Sequence, residues 1–70
     1  MPLVIAPLNC ELRIIKVIAN DKVKKHLESL GIVVNEKITL LSKANGSVIC
    51  IIKNGRLALD QNIATKILVA

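Results

Sequence analysis

Two Asn-Gly dipeptides, Asn45-Gly46 and Asn54-Gly55, constrain this chain more than any other feature. Both central residues of a two-residue type I′ hairpin turn need φ > 0, and Asn and Gly reach it at the least steric cost. The runs around these dipeptides are strand-like. Glu36 to Lys43 places Ile38 and Leu40 on one face and Lys37, Thr39 and Leu41 on the other. Ser47 to Lys53 places Val48, Cys50 and Ile52 on one face and Ile49 and Ile51 on the other, and Arg56 to Asp60 follows. An antiparallel three-strand meander is predicted.

The flanks add an N-terminal lead-in and four further elements. Met1 to Asn9 carries Pro2 and Pro7, which cannot occupy the middle of a sheet. It reads as an extended lead-in whose Leu3, Ile5 and Leu8 cover one side of a core. Leu12 to Ile18 is β-branched, and its alternation slips at Ile14-Ile15 and again at Val17-Ile18, as in a bent or bulged strand. Asn20-Asp21 opens a helix, Asp21 to Leu30, with Val23, Leu27 and Leu30 on one stripe and Gly31 just past its end. Asp60 can cap a short helical turn, Gln61 to Thr65, which presents Ile63, Ala64 and Ile67 before a last strand, Ile67 to Val69. The chain is therefore expected to be mainly β, with one α-helix and a short helical turn. About five antiparallel strands, too few for two layers, are expected to close as a small β-barrel.

Seventy residues fit a single domain, 1–70, and bury only about 60% of the surface of the unfolded chain. Eleven Ile, ten Leu and seven Val supply the core, and Phe, Tyr and Trp are absent. Such a chain is too apolar for disorder, and two cysteines make no disulfide scaffold. It holds no apolar run of about 18 residues that would span a membrane. The first six residues have neither the basic stretch nor the apolar length of a secretory leader, so a cytoplasmic setting with reduced thiols is expected. Nucleic acid is not an expected partner. No aromatic ring is present to stack on bases, and the net charge of +5 comes from eight Lys against two Arg. A small nucleic-acid-binding barrel is the weakest of three functional readings.

Nothing in the sequence marks a catalytic centre, and the chain is not expected to be an enzyme. His26 has only Glu28 near it among the acids, and residues two apart on a helix do not face each other. No phosphate-binding glycine loop is present. Cys10, His26 and Cys50 are the only soft metal ligands, and none has a partner at zinc-clip spacing. No cofactor is expected, and these three residues are weak candidates for Fe(II) or Zn(II). The densest positive patch is Lys22, Lys24, Lys25 and His26 on the helix, a solvated face or a docking surface for an acidic partner. Aliphatic residues on both faces of the middle strand exceed what one small barrel hides. A partner, a second copy in a weak homo-oligomer, or the helix and N-terminal arm can cover the excess.

Three stretches resemble one family. Val23-Lys24-Lys25-His26-Leu27-Glu28-Ser29-Leu30-Gly31-Ile32-Val33 is similar to the basic helix ending in Leu-Gly of the FeoA family, small accessory proteins of bacterial ferrous-iron uptake. Asn54-Gly55-Arg56-Leu57-Ala58-Leu59 resembles its last hairpin, and Ile63-Ala64-Thr65-Lys66-Ile67-Leu68-Val69 its closing Ala-x-x-Ile-x-Val segment. With Leu8 to Ile18 as first strand, the resemblance covers essentially the whole chain. Val34-Asn35 stands where the family commonly has Pro-Gly, Asn9 where it has Gly, and Asp60 where a basic or small residue is common. The resemblance implies an SH3-like barrel and docking on a FeoB-type permease or its cytoplasmic GTP-binding domain, with membrane contact only through that transporter. Lys24, Lys25, Leu30, Ile32, Val33, Val34 and Arg56 are the expected partner-binding residues. The alternative it implies is a transition-metal-binding regulator related to the C-terminal domain of metal-dependent repressors.

Overall fold

The computed structural model describes residues 1–53 and 55–70; Asn54, and with it the first half of the second Asn-Gly dipeptide, lies outside them. In chain order it contains a 3₁₀ turn (Leu3–Ile5), β1 (Glu11–Val17), α1 (Asp21–Ser29), β2 (Lys37–Ala44), β3 (Ser47–Ile52), β4 (Gly55–Asp60), α2 (Gln61–Ala64) and β5 (Ile67–Val69). The strands form one antiparallel sheet in the order β4-β3-β2-β1-β5.

Local chemistry accounts for each boundary. Asn45 (φ 51°) and Gly46 (φ 78°) make the β2–β3 turn, with Ala44 opposite Ser47 across it. Asn20 caps α1 by accepting the Val23 N–H at 2.8 Å. Leu30 is the last cap residue, and Gly31 at φ 99° reverses the chain. There the Gly31 N–H donates to the Glu28 carbonyl (3.0 Å) and the Ile32 N–H to the Leu27 carbonyl (2.9 Å). This paired Schellman closure satisfies two end carbonyls and brings Leu27 and Ile32 together, both 1% exposed. Asp60 caps α2 through Asn62 N–H at 2.7 Å, as its position predicts.

β1 carries the slip seen in its sequence. Ile14 pairs with Val69 and Lys16 with Leu68, which leaves Ile15 as the extra, bulged residue. Glu11 to Arg13 pair with β2, and Ile14, Lys16 and Val17 with β5, so the bulge falls within the β5 ladder. A second irregularity between Leu40 and Ser42 bends β2 against β3. The bent sheet wraps a core of Leu3, Ile14, Leu27, Ile32, Ile38, Leu40, Val48, Cys50, Leu59, Ala64, Ile67 and Val69.

Two expectations are corrected. Among the described residues no ladder joins β4 to β5, so the barrel stays open along that seam, with α2 carrying the chain across it. The N-terminal arm is a 3₁₀ turn rather than an extended lead-in. Its three-residue period buries Leu3 and Ala6 together and turns Ile5 (65% exposed) and Leu8 (46%) to solvent. The arm instead covers the outer edge of β5, where Pro2 bridges Leu68 and the Val69 N–H donates to the Met1 carbonyl at 2.7 Å.

Three asparagines hold positive φ: Asn9 (61°), Asn35 (77°) and Asn45 (51°). Asn35 thus reaches the left-handed conformation that Gly would adopt more readily. Replacing Asn35 with Gly is expected to leave stability unchanged or raise it, whereas Asn35→Ala lowers it by about 1 kcal/mol, or roughly 4–8 °C in Tm. Leu27→Ala should cost about 2–5 kcal/mol, enough to unfold much of a domain this small. Thermal and urea unfolding followed by circular dichroism checks all three.

Candidate functional site

The loop after α1 presents the most distinctive surface. Its hydrogen bonds run to β1: the Asn35 N–H donates to the Ile14 carbonyl (2.7 Å) and the Ile14 N–H to the Glu36 carbonyl (2.9 Å). The Arg13 guanidinium adds a bond from Nη1 to the Asn35 carbonyl at 3.2 Å. With Asn35 fixed in the left-handed region, the preceding Val34 stands out, 51% exposed.

Beside it lies a cleft of about 190 Å³ lined by Val17, Lys24, Glu28, Ile32, Val33 and Val34. Its walls are aliphatic and its rim carries one charge of each sign. Lys24 and Glu28 stand four residues apart on one face of α1. Lys37–Glu11, at 3.6 Å, is the one ion pair among the described residues, so the Lys24 ammonium is not held by an acid there. Two wider depressions of about 440 Å³ lie elsewhere. One is lined by Glu11, Asn35, Glu36, Lys37, Ile51 and Lys53 among others, the other by Ile5, Lys43 and Gln61 with the β2–β3 turn. Asn35 lines the former while Val34 lines the α1 cleft, so this loop divides the two surfaces.

The expected partner-binding residues separate into three groups. Lys24, Val33 and Val34 meet at the cleft, with Lys25 exposed and Leu30 half-buried on the neighbouring helix surface. Ile32 lies in the floor but is 1% exposed; its side chain belongs to the core and supports the cleft rather than offering contact. Arg56 is on β4, in the cross-strand row Glu11–Thr39–Ile51–Arg56, and does not line the cleft. Val17 and Glu28 were not singled out by the sequence reading. Spacing held a signal for Glu28, four residues beyond Lys24; Val17 reaches the cleft only through the β1 bulge.

The soft ligands sit on three separate elements, two of them exposed and one enclosed in the core. Cys10 is exposed just before β1, His26 is exposed on α1, and Cys50 is fully buried on β3. Among the described residues no group of three or more His, Cys, Asp or Glu side chains is placed to hold a metal ion. The Cys50 Sγ lies 3.6 Å from the Leu57 carbonyl, and burial pushes its thiol pKa up to about 11. The thiolate, the metal-binding form, is disfavoured there.

The fold and this helix-flanking cleft define a class, the small SH3-like barrels with a helix inserted after the first strand. The FeoA domain model matches residues 1–70, and the chain belongs to the FeoA family. No curated protein is similar enough in sequence to match. Among solved structures, an iron uptake regulatory protein (FeoA) is 17% identical, with a TM-score of 0.89 over 99% of this chain and 93% of that chain. The iron(II) transport protein A of Clostridium thermocellum is 24% identical, with a TM-score of 0.88 over 99% of this chain and 44% of that one. A manganese-dependent transcriptional repressor in complex with manganese is 18% identical, with a TM-score of 0.89 over all of this chain and 35% of that one. At these identities the likeness is one of fold.

Cys10 and Cys50 should differ sharply in chemistry. An alkylating reagent at pH 8 is expected to label Cys10 at once and Cys50 only as the chain unfolds, read by mass spectrometry. The unfolded chain loses the Cys50 proton near pH 9 and the folded chain only near pH 11. The folded state therefore binds more protons in that window, and stability falls as pH rises through it. Urea titrations at pH 8 and pH 11 should show a smaller loss for Cys50→Ala than for the parent chain.

Proposed function

We propose that this chain is an accessory protein of ferrous-iron uptake that docks, through the cleft beside α1, on the cytoplasmic part of a FeoB-type membrane transporter. Family membership supports the iron-uptake setting, and solved neighbours are described as an iron uptake regulatory protein and an iron(II) transport protein. The observation that carries the docking site is the exposed Val34 beside Val33, held by the loop bonded to Ile14 and rimmed by Lys24. No helix among the described residues is long and apolar enough to cross a membrane.

A surface of valines without aromatic anchors suits reversible association. Tight interfaces draw most of their energy from buried Trp, Tyr and Arg, and this cleft supplies none of them. Lys24 and Lys25 add long-range attraction for an acidic partner, which acts on the rate of encounter and weakens with salt.

The soluble domain of a FeoB-type transporter is titrated into the ¹⁵N-labelled chain. Shifts are expected at Lys24, Glu28, Val33 and Val34. Val34→Asp should weaken binding at least tenfold and Lys24→Glu several-fold, while Arg56→Glu leaves it unchanged. Val34→Asp binding as tightly as the parent chain would overturn the assignment of the site.

A further inference from the structure

β4 is the one uncovered sheet edge among the described residues, since the N-terminal arm covers β5. The two-residue turn makes Ala44 and Ser47 a mutually bonded closing pair. Alternation then turns the backbone groups of Val48, Cys50 and Ile52 toward β4, and those of their partners Leu59, Leu57 and Gly55 back toward β3. Arg56 and Ala58 therefore direct their N–H and C=O groups outward, and Asp60 its N–H, with no strand to receive them; the Asp60 carbonyl, at the N-cap of α2, turns into that helix. Such an edge is a template for another strand.

The sequence along this edge is self-complementary. Arg56-Leu57-Ala58-Leu59-Asp60 reads nearly the same in both directions, with opposite charges at its two ends. We propose that β4 pairs with β4 of a second copy, antiparallel about a two-fold axis through Ala58. In that register Ala58 faces Ala58, Leu57 faces Leu59, and Arg56 of each copy faces Asp60 of the other. Ala58 exchanges both its N–H and its C=O with Ala58 of the other copy, and the Arg56 carbonyl of each copy accepts the Asp60 N–H of the other. One Asp60 oxygen already caps α2, which leaves the second for the guanidinium. Arg56, Ala58 and Asp60 are all exposed on the outer face, so the charges meet there without burial.

Two more features fit this occupant. Ile49 is paired with Ala58, so the dimer carries a continuous apolar row, Ile49–Ala58–Ala58–Ile49, across its outer face. That row uses part of the aliphatic excess of β3. The pairing is also isologous and closed, ending at two copies instead of growing into a fibre. A single short strand per copy buries little surface, so the dimer is weak and forms at about 0.1–1 mM.

Sedimentation velocity across that concentration range tests it. The parent chain should move from 7.6 kDa toward twice that mass, with amide exchange at Ala58 and Asp60 slowing as concentration rises. Ala58→Pro removes an outward N–H that β3 does not use, so it should fold normally and stay monomeric. Arg56→Asp and Asp60→Arg should each be monomeric alone and associate when mixed, because the mixed pair restores both contacts. Circular dichroism verifies that each variant is folded. A parent chain still at 7.6 kDa at 1 mM would overturn the proposal. So would Ala58→Pro associating like the parent, or a mixture no more associated than its components. Association lost with Val34→Asp but kept with Ala58→Pro would instead place the contact on the cleft face, and would equally overturn it.

Discussion

One extra residue in β1 organises this molecule. Without the bulge at Ile15, a regular strand would put Ile14 and Val17 on opposite faces; with it, both are buried. The bulge lies in the ladder to β5, close beyond the residues Glu11 to Arg13 that pair with β2, so a single bent strand serves both neighbours. The post-helix loop leans on this point too, since its two backbone bonds to β1 are both made by Ile14. The candidate docking surface is therefore positioned by the same feature that bends the sheet.

Local signals were legible in the sequence because each rests on a few neighbouring residues. Asn45-Gly46 specified its turn, Asn20 and Asp60 their caps, Gly31 the helix end, and the broken alternation at Ile14-Ile15 the bulge. Asn9 and Asn35 took the left-handed conformation where the family pattern has Gly. Burial depth was harder to read. Leu3, Ile5 and Leu8 look alike in sequence, and only the 3₁₀ turn decides that Leu3 goes inward while the other two do not. Ile32 and Val34 differ only by position in one loop, yet the first is anchored under Leu27 by the helix closure and the second projects from it. Arg56 is a basic residue like those of the helix, and only the sheet order, which puts β4 at an outer edge, shows that it lies apart from the cleft.

The absence of aromatic side chains shapes both interior and surface. Ile, Leu and Val fill the barrel through shape alone, with no buried hydroxyl or indole to satisfy, and no buried polar side chain occurs among the described residues. The apolar surfaces left outside, Val33-Val34 at the cleft and Ile49-Ile51 on β3, are likewise built of small aliphatic contacts. Interactions made there depend on fit and on the flanking charges of Lys24, Arg56 and Asp60, which favours contacts that form and release readily.

The pairing of β1 with β5 also sets the order in which the molecule can assemble. Ile14 meets Val69 across 55 positions of sequence, and Ile67 and Val69 are completely enclosed. Contacts this distant must close a long loop before they return any stabilisation, so they form late. A nascent chain that has emerged only as far as Asp60 lacks the strand that encloses the interior on the β1 side. The barrel becomes a cooperative unit only when its last short strand is docked, which makes three residues at one end of the sequence the latch for the whole fold.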